Sequence, residues 1–363
     1  MNDSTVFQRV IIEQLPLIDV RAPVEFCSGS LPGAVNLPIM SDDERHQVGI
    51  CYKQKGRDEA INLGSVLVSG DIREARIAGW IEMMSKSAET MIYCARGGLR
   101  SQIAQEWIEA ESGCRVPLLE GGYKAFRAYL SDHLNPDWIG SEAIVVGGRT
   151  GVGKTVIINK LKNSIDLEAL ANHRGSSFGK HISAQPVQAD FENNLAAALI
   201  RHGCHNFRHI IVEDEGRHVG KRYLPKELAQ FFAAGYLIVV ETSLEQRIEA
   251  TCNEYVMAAQ KNYQMSFGVS HGMERWIAEM ESGVDRIARR LGPSRYRQIR
   301  EQLNDACTNQ GKTGSLELHK IWIEQLLTFY YDPMYDFQLG KDRRTILYKG
   351  SPEAVEKYLK SLE

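Results

Sequence analysis

Long apolar runs, closely spaced cysteine pairs and a strong excess of either charge are missing from this 363-residue sequence. The longest apolar runs, such as "YLIVV" at 236–240, are about a quarter of what a bilayer-spanning helix needs, so no membrane segment is expected. The first thirty residues lack the basic start and long apolar stretch of a secretory signal, which points to the cytoplasm. The seven cysteines are odd in number and scattered, with no CxxC pair, which argues against a disulfide framework and a zinc knuckle. Any special cysteine here is special for its reactivity. The formal charge of −3 supplies no global attraction to nucleic acid, so an RNA partner needs a local basic face. Internal repeats and low-complexity tracts are also lacking.

What is present is an alternation of short apolar runs with helical patterns, in a chain long enough for two domains with separate cores. "PLIDV" and "TMIYC" read as buried strands, and the segment from Leu99 reads as a helix with Leu99, Ile103 and Trp107 on one face. "AIVVGGRTGVGKT" reads as a strand entering a glycine-rich turn, followed by Ile157, Leu161 and Ile165 at helical spacing. "HIIVEDE" and "GYLIVVETS" are further strands with polar ends, and from about 270 onward the chain reads mostly as charged helix. This pattern predicts an α/β protein with two parallel-sheet domains, residues 1–133 and 141–363, the second with a helical C-terminal region. The Pro- and Gly-containing polar stretch around 134–140 is the linker.

"YCARGGLRSQIAQEW" at 93–107 places Cys94 where a strand ends and a helix begins. Backbone N–H groups in such a loop point inward at the sulfur and lower its pKa, and the same donors suit a persulfide, selenide or phosphate-like group. Gly97 and Gly98 permit the turn, and Arg96 and Arg100 add positive charge. A buried structural cysteine is the competing interpretation. The Cys-x5-Arg spacing also occurs in cysteine phosphatases, but no convincing general-acid aspartate accompanies it.

Gly148 to Thr155 fits G-x-x-x-x-G-K-[ST] with a strand before it and a helical pattern after it. Amides around Gly151 and Gly153 should wrap a di- or triphosphate, Lys154 should reach its terminal phosphates, and Thr155 should hold Mg²⁺ if a metal accompanies the ligand. Glu213, Asp214 and Glu215 are placed like a Walker B group. The loop does not separate ATP or GTP from a non-nucleotide diphosphate, and no metal is assigned.

"LIDVRAPVEFCSGSLPGAVNLPI" at 17–39 resembles the opening of a rhodanese domain, with Ser30 where many such domains carry histidine and a Cys94 loop one residue longer than in simple sulfurtransferases. A rhodanese half joined to a P-loop half resembles the tRNA 2-selenouridine synthase family across nearly the whole chain. The further stretches that carry this resemblance are "VGICYKQKGRDEAINLG" at 48–64, "CARGGLRS", "HRGSSFG" at 173–179, "EDEGRHVG" at 213–220 and "YYDPMYDFQ" at 330–338. The resemblance implies replacement of the sulfur of wobble 2-thiouridine by selenium from selenophosphate, through an S-geranyl intermediate made from geranyl diphosphate. It also implies tRNA as partner, an enzyme that supplies selenophosphate, and no tightly bound cofactor. Alkylation makes the sulfur a better leaving group, so the P-loop acquires the prenyl diphosphate and Cys94 the selenium step, with Arg96 and Arg100 beside the anion.

The densest positive charge is "DRIARRLGPSRYRQIREQL" at 285–303, with Arg286, Arg289, Arg290, Arg295, Arg297 and Arg300 for phosphates and Tyr296 for stacking. A solvated face paired with glutamates is the alternative. Lys180, Arg217, Lys221 and Arg222 are further candidates. Two other functions fit the motifs less fully: a P-loop NTPase or kinase with a regulatory rhodanese module, and a sulfur-carrier adaptor.

Overall fold

Three-residue strands build the first sheet: β1 (Leu17–Asp19), β2 (Ala34–Asn36) and β3 (Met91–Tyr93), in the order β2-β1-β3 and all parallel. Ile18 and Ile92 are fully buried against Trp80 and Ile108, which explains why such short strands persist. Asp19 pairs in register with Tyr93, so the chain leaves the sheet one residue before Cys94. The helix Asp42–Lys55 opens on a Ser41–Glu44 capping box, and the helix Leu99–Ser112 closes on left-handed Gly113. The computed structural model describes residues 3–363.

The second sheet contains β4 (Glu142–Gly148), β5 (Ser164–Ile165), β6 (His209–Glu213), β9 (Tyr236–Val240) and β10 (Ile346–Gly350). Between β6 and β9 lies a small antiparallel pair, β7 (His218–Val219) and β8 (Arg222–Tyr223). The sheet order is β10-β9-β4-β6-β5, all parallel. β4 is central, and the strand order switches direction on either side of it, where open α/β sheets form their ligand crevice. A helical layer follows, with Trp276, Val284, Leu303 and Trp322 buried in a core of its own.

The chain divides into two compact units: residues to Trp138 with Pro186–His205, and Ile139–Gln185 with Asn206–Glu363. Thus the helix Gln188–Gly203 groups with the first unit. It is fastened there by Asp190, which accepts the Ser30 backbone N–H at 2.6 Å, and by Asn193, whose amide donates to the Ser30 carbonyl at 2.6 Å. The stretch expected as linker is ordered, with Leu134 buried, a 3-10 turn at Pro136–Trp138, and the His133 ring stacked on Trp138.

Two sequence expectations require correction. The helix after the P-loop covers only Lys154–Ile158; Leu161 lies in the following turn and Ile165 on β5, although all three apolar residues are buried. Burial in different elements, Ile157 and Leu161 in one apolar cluster and Ile165 on its strand, explains their apolar character rather than one helix face. The C-terminal region is not helix alone, since β10 adds an edge strand beside β9 through a pairing about a hundred residues away in sequence, which no local pattern reveals.

Candidate functional site

In the first unit, Cys94 Sγ accepts a hydrogen bond from the Gly98 N–H at 3.2 Å and another from the Ser101 hydroxyl at 3.3 Å. Burial opposes ionisation of this thiol. The Ser101 hydroxyl and the N–H groups of Arg96, Ser101 and Gly98 outweigh that penalty, so its pKa lies below the ordinary thiol value. The loop is held by backbone: Tyr123 N–H donates to the Cys94 carbonyl at 3.0 Å and Lys124 N–H to the Ala95 carbonyl at 2.9 Å. A Cβ on Gly122 would lie 2.2 Å from the Cys94 carbonyl oxygen, so only glycine permits this approach. Gly122 was not singled out from the sequence, though "EGGYKAF" contains the signal.

Arg96 is exposed beside the loop. Arg100 is drawn away into a bidentate pair with Glu25 at 2.6 and 3.1 Å, and Arg45 joins the same carboxylate at 2.9 Å. Burial works against this carboxylate's charge, but the two arginines hold its pKa below the usual range. The Asp-x-Arg of the opening motif is structural: buried Arg21 forks onto Asp19, donates to the Gly29 carbonyl at 2.7 Å, and stacks 3.9 Å from the Tyr123 ring centre.

In the second unit, the P-loop follows β4. Lys154 Nζ donates to the Gly148 carbonyl at 2.9 Å, curling back over the loop. Gly151 and Gly153 have φ of +83° and +86°, and a Cβ on Gly151 would meet Thr251 Oγ1 at 2.7 Å. Buried Arg247 clamps the loop, donating to the Thr150 carbonyl at 2.8 Å and to Asp332 at 2.9 Å, while Arg149 pairs with Asp336 at 2.7 Å. The stretch "YYDPMYDFQ" thus supplies the carboxylates that brace the P-loop.

Behind the loop, Glu168, Glu213 and Glu215 bring one carboxylate oxygen each to within 4.8 Å of one another. The Thr155 hydroxyl donates to Glu213 Oε1 at 2.7 Å. Burial and the Glu215 charge push Glu168 up to about 9, burial and the Glu168 charge push Glu213 up to about 8, and burial holds Glu215 at about 7. Asp214 turns the other way and pairs with Arg344 at 2.9 Å. Of the acidic run, two members therefore reach the site and the third braces a neighbouring arginine. Glu168 has no sequence signal of its own. Gly175, in "HRGSSFG", packs directly on the cluster, where a Cβ would fall 2.1 Å from Glu168 Oε1 and 2.5 Å from Glu215 Oε1.

A narrow apolar cavity of ≈ 20 Å³ lies beside the P-loop, with Thr150 in its lining and Phe178, Tyr255, Trp322, Leu327 and Tyr331 as its walls. Tyr255 comes from a π-helical turn, Asn253–Ala258, and Leu327 and Tyr331 from another, Leu327–Tyr331. Such turns widen a helix to aim side chains and recur at functional sites. Phe178 is accommodated by Gly283, whose Cβ would meet its ring at 2.4 Å.

The arginine-rich segment occupies the end of the helix Val269–Leu291 and the start of the helix Pro293–Thr313. Arg286 donates to the Ser177 carbonyl at 2.6 Å and pairs with Glu279, Arg300 pairs with Glu281 at 3.3 Å, and Arg295 lies 4.4 Å from the Phe329 ring centre. Arg290 donates to the Tyr330 hydroxyl at 3.3 Å, and Tyr296 donates to Asp285 at 2.8 Å. Arg289 and Arg297 are exposed, and neither has an ion-pair partner among the described residues. Lys180 pairs with Glu279 at 3.7 Å, Arg217 donates to the Leu224 carbonyl, and Lys221 and Arg222 lie at the β7–β8 turn. Among the described residues no helix is long and apolar enough to cross a membrane.

Residues 7–129 match the model of the rhodanese-like domain, and residues 141–363 match that of the tRNA 2-selenouridine synthase AAA domain. A tRNA 2-selenouridine synthase of Sulfurovum sp. (strain NBC37-1) is 48% identical over 99% of this chain and 98% of its own length. Those of Hydrogenovibrio crunogenus and Marinobacter nauticus are 46% and 44% identical, over 98% and 99% of this chain and 98% of each relative. With both domain models matched in order and relatives aligned from end to end, this chain belongs to the tRNA 2-selenouridine synthase family.

Proposed function

We propose that the protein converts wobble 2-thiouridine of tRNA to 2-selenouridine with selenophosphate, through S-geranyl-2-thiouridine made from geranyl diphosphate. The observation that carries this reading is the adjacency of the P-loop to the apolar walls at Thr150, whose cavity of ≈ 20 Å³ has to widen to admit a prenyl chain. An oligophosphate cradle opening onto an aromatic and aliphatic pocket suits an allylic diphosphate, whose chain needs only apolar contact. A nucleotide's ribose and base would instead require polar partners. In the first step the thiouridine sulfur bonds to geranyl C1 as the C1–O bond breaks, the electron pair leaves on the diphosphate, and N3 gives up its proton to solvent. Lys154 and the amides around Gly151 and Gly153 meet that developing charge.

Glu168, Glu213 and Glu215 fit Mg²⁺. All three offer carboxylate oxygens, the ligands this ion prefers, and Glu213 Oε2 is buried with no hydrogen-bond partner among the described residues. Bound there with Thr155 nearby, the ion would supply further positive charge toward the diphosphate.

The Cys94 loop serves the selenium step. Selenium bonds to C2, the C2–S bond breaks with its electron pair leaving on geranyl thiolate, which takes a proton, and water then cleaves Se–P to release phosphate. Arg289 and Arg297, exposed and without an ion-pair partner among the described residues, are available to tRNA phosphates. The test is mass analysis of nucleosides from 2-thiouridine tRNA incubated with the protein, geranyl diphosphate and selenophosphate, with and without ATP. S-Geranyl-2-thiouridine followed by 2-selenouridine, without ATP consumption, is the expected outcome. Obligatory ATP hydrolysis or absence of the geranyl nucleoside would overturn it.

A further inference from the structure

The face of Leu99, Ile103 and Trp107 on the helix that follows Cys94 is only partly taken up by the core, against which Ile103 and Trp107 pack on one side. Ser101, Ala104, Gln105 and Ile108 are the buried residues of that helix, whereas the three apolar residues remain partly exposed. They line a cavity of ≈ 610 Å³, open to solvent, whose opposite wall includes Val48, Ile61 and Val68. That wall belongs to a helical pair, Asp42–Lys55 and Arg57–Leu67, and the residue that follows it. The first helix buries none of its residues and the second only Ala60. Helices that bury so little of themselves gain little from the protein core, so a ligand against this wall would supply contact the fold does not.

The cavity has a polarity. Arg57, Arg96 and Arg100 border it, and no carboxylate lines it. Arg100 is neutralised by Glu25, but Arg57 and Arg96 are exposed with no ion-pair partner among the described residues. A branched aliphatic surface with unpaired cations, on the loop that carries the thiol, complements a ligand with an anionic end and a long hydrocarbon end. We infer that this cavity holds the prenyl chain of S-prenylated wobble uridine while C2 reacts at the Cys94 loop, and then the departing prenyl thiol. The inference rests on the proposed two-step reaction and extends it. The chain would thus contain two prenyl sites, one for the diphosphate donor in the second unit and one for the thioether in the first.

The test compares selenation, with selenophosphate, of anticodon stem-loops carrying chemically made S-geranyl- or S-methyl-2-thiouridine. The protein should favour the geranyl substrate in kcat/KM by about a hundredfold or more, given the hydrocarbon buried. Ile61→Trp and Ile103→Trp, which fill the cavity from opposite walls, should each cut that preference by about tenfold or more. Equal use of geranyl and methyl substrates by the unaltered protein would overturn the inference while leaving the two-step reaction intact. So would an undiminished preference in both folded variants, with folding checked by thermal melting. Failure of the unaltered protein to selenate either thioether, while still selenating 2-thiouridine, would instead overturn the two-step reaction itself.

Discussion

The Thr155 hydroxyl donates to Glu213 Oε1 at 2.7 Å, joining the end of the phosphate loop to the end of β6. The second carboxylate oxygen of Glu213 is buried without a hydrogen-bond partner among the described residues, and Glu213 lies with Glu168 and Glu215. This bond couples an acidic cluster to the phosphate loop, and the cluster's titration therefore reports on the site.

Stability should fall with rising pH when divalent cations are chelated. Glu168 and Glu213, raised to about 9 and about 8, are protonated in the folded chain at neutral pH but ionised in the unfolded chain above about 4.5. The folded chain binds more protons, so their contribution is present at low pH and lost as pH climbs toward about 9. Melting temperature measured from about pH 6 to about pH 9 should decline, Glu168→Gln should flatten the decline, and Mg²⁺ should stabilise most at the alkaline end. A melting temperature that rises over this range would contradict the assignment.

Lys154→Ala should lower geranylation about a hundredfold or more, and selenation of 2-thiouridine tRNA with it. Chemically supplied S-geranyl tRNA should bypass the defect. Loss of selenation with that substrate, while tRNA still binds, would move the P-loop to the selenium step.

Cys94→Ala should accumulate S-geranyl-2-thiouridine and form no 2-selenouridine. Because the thiol's pKa is lowered, any dependence of selenation on the thiolate should appear below the ordinary thiol range, with activity falling as pH drops through the lowered value. Selenation at the unaltered rate by the variant would remove Cys94 from the chemistry.

Gly122→Ala should destabilise the first unit by about 1–3 kcal/mol and disorder the Cys94 loop, since the new Cβ would lie 2.2 Å from the Cys94 carbonyl oxygen. Chemical denaturation and the rate of Cys94 alkylation measure the two effects. An unchanged midpoint would show that the backbone accommodates the methyl group.

Arg289→Ala combined with Arg297→Ala should weaken tRNA binding and reduce the slope of log K against log salt by about 2. Arg286→Ala should act mainly on stability, because that guanidinium holds the Ser177 carbonyl. Equal salt slopes for the double variant and the unaltered protein would return the segment to a solvated face.

The phosphate loop and the thiol loop were legible in the amino-acid order because each is local. Gly148 to Thr155 and Cys94 to Arg100 carry their own turn residues, and the strand before each supplies the direction. The family stretches were equally visible, but their tasks were not. "YYDPMYDFQ" braces the P-loop through Asp332 and Asp336, and "HRGSSFG" places Gly175 against two carboxyls and Phe178 in the apolar cavity.

What depended on pairing across the chain stayed hidden. Glu168 joins Glu213 and Glu215 only because β5, which precedes it, runs beside β6, and a lone glutamate carries no periodic signal. Arg100 pairs with Glu25 from 75 residues away, a carboxylate partner that its loop position did not reveal. The stripe Leu99, Ile103, Trp107 shares one helix face as its spacing requires. Whether that face meets a core or a cavity was decided by where the helices at 42–67 stand, because periodicity specifies a side chain's direction and only packing specifies what lies there.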